Sequence, residues 1–247
     1  MSEKQPRDLY MTAVPFFNTA LAFKYDRHVE GFHNIPEQPA LYAINHLRFE
    51  DSLIVAGIVA KHIKRPLRFG AKSEYFEGMG LDNHGKLGPQ VKWFMERTGQ
   101  IRVQRDSDPR SFQQLSQDAA ETFQRGDSLA LHPEGSRSLD GRLNKFKSGV
   151  ARIALQNHVP IIPTGLVYTS NEKFGERDDV DIMFGEPIMP EEYEKRPFSL
   201  LPMRQRADRL THTLEERVAT LTHQERSHEF ARIEKRSKIS DQSEATD

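Results

Sequence analysis

Apolar positions in this chain recur with two periods, near two and near 3.6 residues, and the two alternate from about residue 40 onward. "ALYAIN" (40–45) reads as a buried strand. The apolar run after it predicts a helix over about 52–60, capped by Asp51 or Ser52, where a carboxylate suits the positive end of the helix dipole. "PLRFGAK" (66–72) predicts a second strand, followed by helical patches around 73–79 and 89–97 and a short strand at "IRVQR" (101–105). The clearest helix is 108–126. Asp108 can cap it, Pro109 fits its first position, Phe112, Leu115, Ala119 and Phe123 recur at helical spacing, and Gly126 closes it. "SLALHP" (128–133) predicts a strand, 146–157 a helix, and "VPIIPTGLVY" (159–168) an apolar strand with prolines near its ends. "DVDIMFGEPI" (179–188) alternates like a last strand, and 201–222 carries Ala207, Leu210, Leu214, Val218 and Leu221 on one helical stripe.

Strands alternating with helices predict an α/β fold: a single domain with a mostly parallel, mixed sheet flanked by helices. Residues 28–222 form that domain, after an apolar N-terminal segment (1–27) and before a charged, poorly periodic segment (223–247) expected to be a flexible tail. Within the first segment, residues 9–23 ("LYMTAVPFFNTALAF") are dense in large apolar groups but too short to span a bilayer. Two readings stay open there, a terminal helix packed on the core and an interfacial segment contacting a membrane surface. Pro15 argues against an unbroken helix unless it lies in the first turn.

The 247 residues, 36% of them hydrophobic, suffice for one sizeable core. A formal charge of −1 gives no bulk electrostatic reason to expect a nucleic-acid partner. The absence of cysteine excludes disulfides, thiolate metal sites and a cysteine nucleophile, and is compatible with the cytosol. "MSEKQPRD" leads into no cleavable apolar region, so the expected location is cytoplasmic, with a peripheral position on the inner membrane face as the variant that residues 9–23 suggest.

Charge changes this picture locally. Residues 61–152 hold 17 Lys/Arg against 11 Asp/Glu, with the excess around three strand-to-helix loops, which suits an anionic ligand or a solvated basic face. In α/β sheets, loops at the carboxyl ends of strands build the site. "NHLRFED" (45–51) offers His46 with Asp51 as a general base and its orienting carboxylate, provided the chain turns between them. "GQIRVQR" brings Arg102 and Arg105, and "HPEGSRS" (132–138) combines a turn, a carboxylate, a hydroxyl and a guanidinium able to fork onto phosphate. No phosphate-binding glycine loop or serine-hydrolase elbow is present. A metal site at His46, Glu50 and His132 is the one metal alternative, and no metal is expected.

Taken in order, these segments resemble the motifs of the glycerolipid acyltransferase family, typified by 1-acylglycerol-3-phosphate acyltransferases. "NHLRFED" resembles its Asn-His-x4-Asp motif, "GQIRVQR" its second motif, "HPEGSRS" its Pro-Glu-Gly third and "VPIIPTGL" its apolar fourth, over about residues 28–190. The resemblance implies an acyl thioester donor (acyl-CoA or acyl-ACP), a hydroxyl acceptor on a lysophosphatidic-acid-like lipid, and no cofactor beyond the donor. His46 would take the hydroxyl proton and Asp51 would orient it. Arg105, Glu134, Gly135, Ser136 and Arg137 would hold the acceptor. Two residues depart from the pattern, Arg48 where serine is usual and His132 where an aromatic or aliphatic residue is usual. The alternatives are an acyltransferase of this family using a glycolipid or specialised metabolite, and a non-catalytic lipid-binding protein on the same fold.

Overall fold

A computed structural model describes residues 6–79, 87–104, 108–171 and 177–231. Among these, seven strands form one sheet: β1 (Tyr25–Glu30), β2 (Leu41–Ile44), β3 (Leu67–Lys72), β4 (Ile101–Val103), β5 (Ser128–Leu131), β6 (Ile161–Thr169) and β7 (Asp178–Phe184), in the order β1-β7-β6-β2-β5-β3-β4. Every neighbouring pair is parallel except β6 and β7, which run antiparallel. The expected mixed, mostly parallel sheet is what forms.

The helices are α1 (Pro6–Lys24), α2 (Asp51–Ile63), α3 (Ser73–Phe76), α4 (Gly88–Arg97), α5 (Pro109–Gln124), α6 (Gly149–Asn157) and α7 (Met203–Thr222). The alternation along β2 explains the layering. Tyr42 and Ile44 point into a core with Ile54, Val55 and Val59 of α2 and Val91 and Met95 of α4. Leu41 and Ala43 point the other way, into a core with Phe123 of α5, Ile153 of α6 and Leu210, Leu214 and Val218 of α7. A central strand covered on both faces needs an uninterrupted apolar run, and "LYAI" is one.

Two elements differ from the sequence pattern. β1 carries Asp26, Arg27 and His28, and only Tyr25 of its six residues is fully buried, so it shows no apolar alternation. Its backbone pairing with β7 at the sheet edge makes it a strand nonetheless. α1 is continuous through Pro15. Packing outweighs the missing donor: Tyr10, Val14 and Leu21 are buried, the Tyr10 hydroxyl donates to the Leu67 carbonyl (2.5 Å), and Asn18 Nδ2 donates to the Gly57 carbonyl (2.9 Å). The opposite side of α1 leaves Phe16 77% and Phe23 80% exposed.

After α7, the first residues of the segment expected to be a charged tail run beside the loop that follows β5. Leu143 and Lys145 amides donate to the carbonyls of Glu225 and Glu229, and Ser227 donates back to Leu143. Backbone pairing of this kind needs no side-chain periodicity, so the sequence gives no sign of it.

Candidate active site

The site lies at the carboxyl ends of the adjacent strands β2 and β5, where open α/β sheets place their ligands. Beyond Ile44 the chain turns before α2, and the turn brings His46 and Asp51 together: His46 Nδ1 lies 3.0 Å from Asp51 Oδ2. Asp51 is the first residue of α2, yet its carboxylate does not cap that helix. Oδ2 instead accepts from the amides of Leu47 (2.7 Å) and Arg48 (2.8 Å), the donors of the turn itself. The carboxylate is wholly buried, and burial pushes its pKa up while these donors hold it down. With Nδ1–H directed at Asp51, the basic nitrogen of a neutral His46 is Nε2, on a ring that lines a largely apolar cavity.

Glu134 holds the backbone of His46. One carboxylate oxygen accepts from the His46 amide (2.7 Å), and the other from the amide (3.0 Å) and side chain (2.9 Å) of Asn144. The His46 carbonyl in turn accepts from the Ser138 amide at 2.8 Å. Both oxygens of Glu134 are therefore committed to protein donors, and the residue, 1% exposed, cross-links two loops instead of facing the cavity. Burial pushes its carboxyl up to about 7, against the pull of those donors. Gly135 adopts φ +78°, a conformation that favours glycine, and closes the turn from the His132 carbonyl (3.0 Å). Gly135 and exposed Arg137 line the cavity; Ser136 is buried beside them. Arg105 lies outside the described residues. Arg102 is on β4, over the ring of Phe76 and 3.7 Å from Glu77.

His132 stacks on His46, with ring centroids 3.8 Å apart and planes 14° from parallel. Its Nδ1 faces the carbonyls of Ile44 (3.0 Å) and Asn45 (3.3 Å), both acceptors, so Nδ1 carries the proton. Nε2 then accepts from the Ser52 hydroxyl at 2.8 Å. Burial, with His46 adjacent, pushes the His132 pKa down to about 3, so the stacked ring is neutral at physiological pH. His46, Glu50 and His132 do not assemble as a metal site. Glu50 pairs with Lys24, Nδ1 of each imidazole is occupied, and among the described residues no group of three potential ligands converges.

The cavity beside these residues has a volume of about 340 Å³. Its polar end is His46, Ser52, His132, Gly135 and Arg137, and its apolar wall comes from Leu53, Phe69, Val91, Phe94, Met95 and Phe17 of α1. Phe17 and Phe94 meet edge to face, 5.0 Å between centroids. Behind them and Leu53 and Phe69 lies a void of about 20 Å³.

What Asn45 and Tyr168 do at the site is not readable from the sequence. Asn45 is buried and extends the sheet: its Oδ1 accepts from the Leu166 amide (2.8 Å), and its Nδ2 donates to Leu166 O (2.9 Å) and to Gln224 Oε1 (2.8 Å). Tyr168 donates to Asp51 Oδ1 at 2.6 Å, from the end of an apolar strand that reads only as core.

A mixed, mostly parallel sheet thus brings a histidine–aspartate pair together, with the histidine on the wall of a largely apolar cavity. The chain belongs to the Acyltransferase family, whose model matches residues 26–167. It is 30% identical over 172 residues to the chloroplastic 1-acyl-sn-glycerol-3-phosphate acyltransferase BAT2 of Brassica napus, covering 66% of this chain and 45% of that protein. It is 31% identical over 147 residues to the chloroplastic LPAT1 of Arabidopsis thaliana, with 59% and 37% covered. A lyso-ornithine lipid O-acyltransferase of Pseudomonas aeruginosa is 25% identical over 147 residues, 60% of this chain and 49% of that one. The chain thus spans less than half the length of these relatives. Its fold is similar to that of the 1-acyl-sn-glycerophosphate (LPA) acyltransferase PlsC from Thermotoga maritima, with a TM-score of 0.55, 21% identity, and 84% of this chain and 78% of that one covered. Among the described residues no helix is long and apolar enough to cross a membrane.

Proposed function

We propose that this protein transfers a fatty acyl group from an acyl thioester to a hydroxyl of a lysophosphatidic-acid-like acceptor, at a membrane face. The observation that carries the reading is the His46–Asp51 pair, 3.0 Å apart, with His46 on the wall of a cavity whose remaining lining is mostly apolar. His46 Nε2 takes the acceptor hydroxyl proton as the oxygen attacks the thioester carbonyl. The tetrahedral intermediate then expels thiolate, which receives that proton from the imidazolium. Asp51 fixes the tautomer and balances the transient positive charge. A thioester is already activated, so one base and good positioning suffice. The acyl chain occupies the apolar cavity, and exposed Arg137 on its rim supplies a guanidinium for the acceptor's phosphate.

The similarity to the lyso-ornithine lipid O-acyltransferase supports a second acceptor class, a lipid hydroxyl without phosphate. One experiment separates these readings. Thiol release is followed from acyl-CoA and acyl-ACP donors, with lysophosphatidic acid, a lyso-aminolipid or no acceptor, for wild type and His46→Ala. Release that requires lysophosphatidic acid and falls on the order of 10²–10⁴-fold in the variant supports the first reading. Equal turnover in His46→Ala would sink the mechanism.

A further inference from the structure

The Asp51 carboxylate is held from two sides. Its Oδ2 serves His46 and two backbone amides, whereas Oδ1 receives the Tyr168 hydroxyl at 2.6 Å. Tyr168 is itself clamped. Its ring lies 5.6 Å from that of Tyr25 on β1, and the Arg48 guanidinium sits 4.2 Å above its centroid. Arg48 is anchored in turn by Asp178 at the start of β7 (2.8 Å), with longer contacts to the Tyr25 hydroxyl (3.3 Å) and Ser170 (3.4 Å). A cation over a π face is attractive, and a guanidinium also paired to a carboxylate is held in one place. Arg48, the residue that departs from the family's usual serine, is therefore directed away from the base and onto the tyrosine that supports it.

We propose that Tyr168 is a positioning residue for the catalytic histidine, acting through the second oxygen of Asp51, with Arg48 and Asp178 as the clamp that keeps its hydroxyl in place. This role rests on the acyl-transfer reading only for its use, because the geometry sets the protonation of the pair in either case.

The physical argument concerns where negative charge resides. When His46 is neutral, Asp51 carries a charge with only hydrogen-bond donors around it. When His46 is protonated, the imidazolium takes up part of that charge. A hydroxyl on Oδ1 therefore stabilises the unprotonated pair more than the protonated one, so that removing it favours protonation of His46. The surrounding charged and titratable groups stay the same if only this hydroxyl is removed. His132 is stacked on the base, Glu134 holds its amide, the Lys24–Glu50 pair lies beyond Tyr25, and Lys72 and Arg137 line the cavity.

The test is titration of labelled histidine side chains by NMR in the full-length protein, with the His46 resonance assigned by its loss in His46→Gln. In Tyr168→Phe the His46 midpoint should move upward by about 0.5–1 pH unit. In the same variant kcat should fall roughly tenfold at neutral pH, with KM for the acyl donor unchanged. Arg48→Gln, which retains the hydroxyl but loosens its clamp, should give a smaller shift of the same sign. An unmoved His46 midpoint in a folded Tyr168→Phe protein overturns the proposal. If Tyr168→Phe does not fold, an unmoved midpoint in Arg48→Gln does the same. A shifted midpoint in Tyr168→Phe, together with a wild-type protein that turns over no acyl thioester, keeps the positioning role and removes the acyl-transfer reading instead.

Discussion

His46 and His132 lie face to face, 3.8 Å apart, with the second ring locked as a neutral Nδ1–H tautomer between two backbone carbonyls and Ser52. His132 thus offers His46 a flat, uncharged surface, as an aromatic side chain would. His132→Phe should keep activity within about threefold, whereas His132→Ala, which opens a gap beneath His46, should lower kcat roughly ten- to a hundredfold. Steady-state kinetics at fixed pH separates the two; equal losses in both variants would mean that the imidazole nitrogens matter more than the stack.

Glu134 makes stability depend on pH. Its folded-state pKa, raised to about 7 by burial, stands above the ordinary value of 4.5, so the native state binds this proton more tightly than the unfolded chain. Its contribution is fully present below about pH 4.5 and is lost as pH rises through about 7, in total about 3 kcal/mol. Urea unfolding of wild type and Glu134→Gln at pH 5 and pH 8 isolates the group, because Asp51 and the other carboxylates remain in both. The variant should show the flatter profile. Parallel profiles would show that the donors from His46 and Asn144 dominate over burial.

The edge-to-face pair of Phe17 and Phe94 separates the large cavity from the small void behind it. Phe94→Ala should join the two and move donor preference toward longer acyl chains, at a stability cost of about 2–4 kcal/mol. A series of acyl donors of increasing length, assayed at equal concentration, reads this directly. An unchanged preference would place the chain's end elsewhere in the cavity.

Phe16 and Phe23 are the large apolar groups that α1 leaves in water. Phe16→Ser with Phe23→Ser should weaken sedimentation with anionic liposomes at least tenfold, since each buried aromatic ring is worth about 1.5–3 kcal/mol. Unfolding should change by less than about 1 kcal/mol. Removing the whole helix is not an equivalent experiment, because Tyr10, Val14 and Leu21 belong to the core. Unaltered liposome binding in the double variant would assign membrane contact to another face.

The strands and helices most readily read from the sequence are those with one buried face and a clear end. α5 begins at Pro109 after Asp108, whose side chain accepts from the Arg110 amide (2.9 Å), as its capping pattern predicts. The His46–Asp51 meeting was legible too, since a strand running into a helix start supplies the required turn. β1 was not, because an edge strand is defined by backbone pairing with residues some 150 positions away, and its side chains carry no apolar alternation. Glu134 was visible as part of the site but not as a brace between loops. Tyr168 was hidden in an apolar run, where nothing distinguishes a tyrosine that completes a core from one aimed at a carboxylate.

The amide of Asn45 has a consequence for how the protein comes into being. It joins the end of β2 to Leu166 and to Gln224, residues synthesised long after it. While the chain emerges from a ribosome, the loop that bears His46 has no β6 to rest on, and Gln224, beyond α7, arrives later still. Such distant closures are slow steps in folding. Activity should therefore be absent from nascent chains halted before α7 is complete and appear only once Gln224 has been released. The turn that carries His46 is thus synthesised early and braced late.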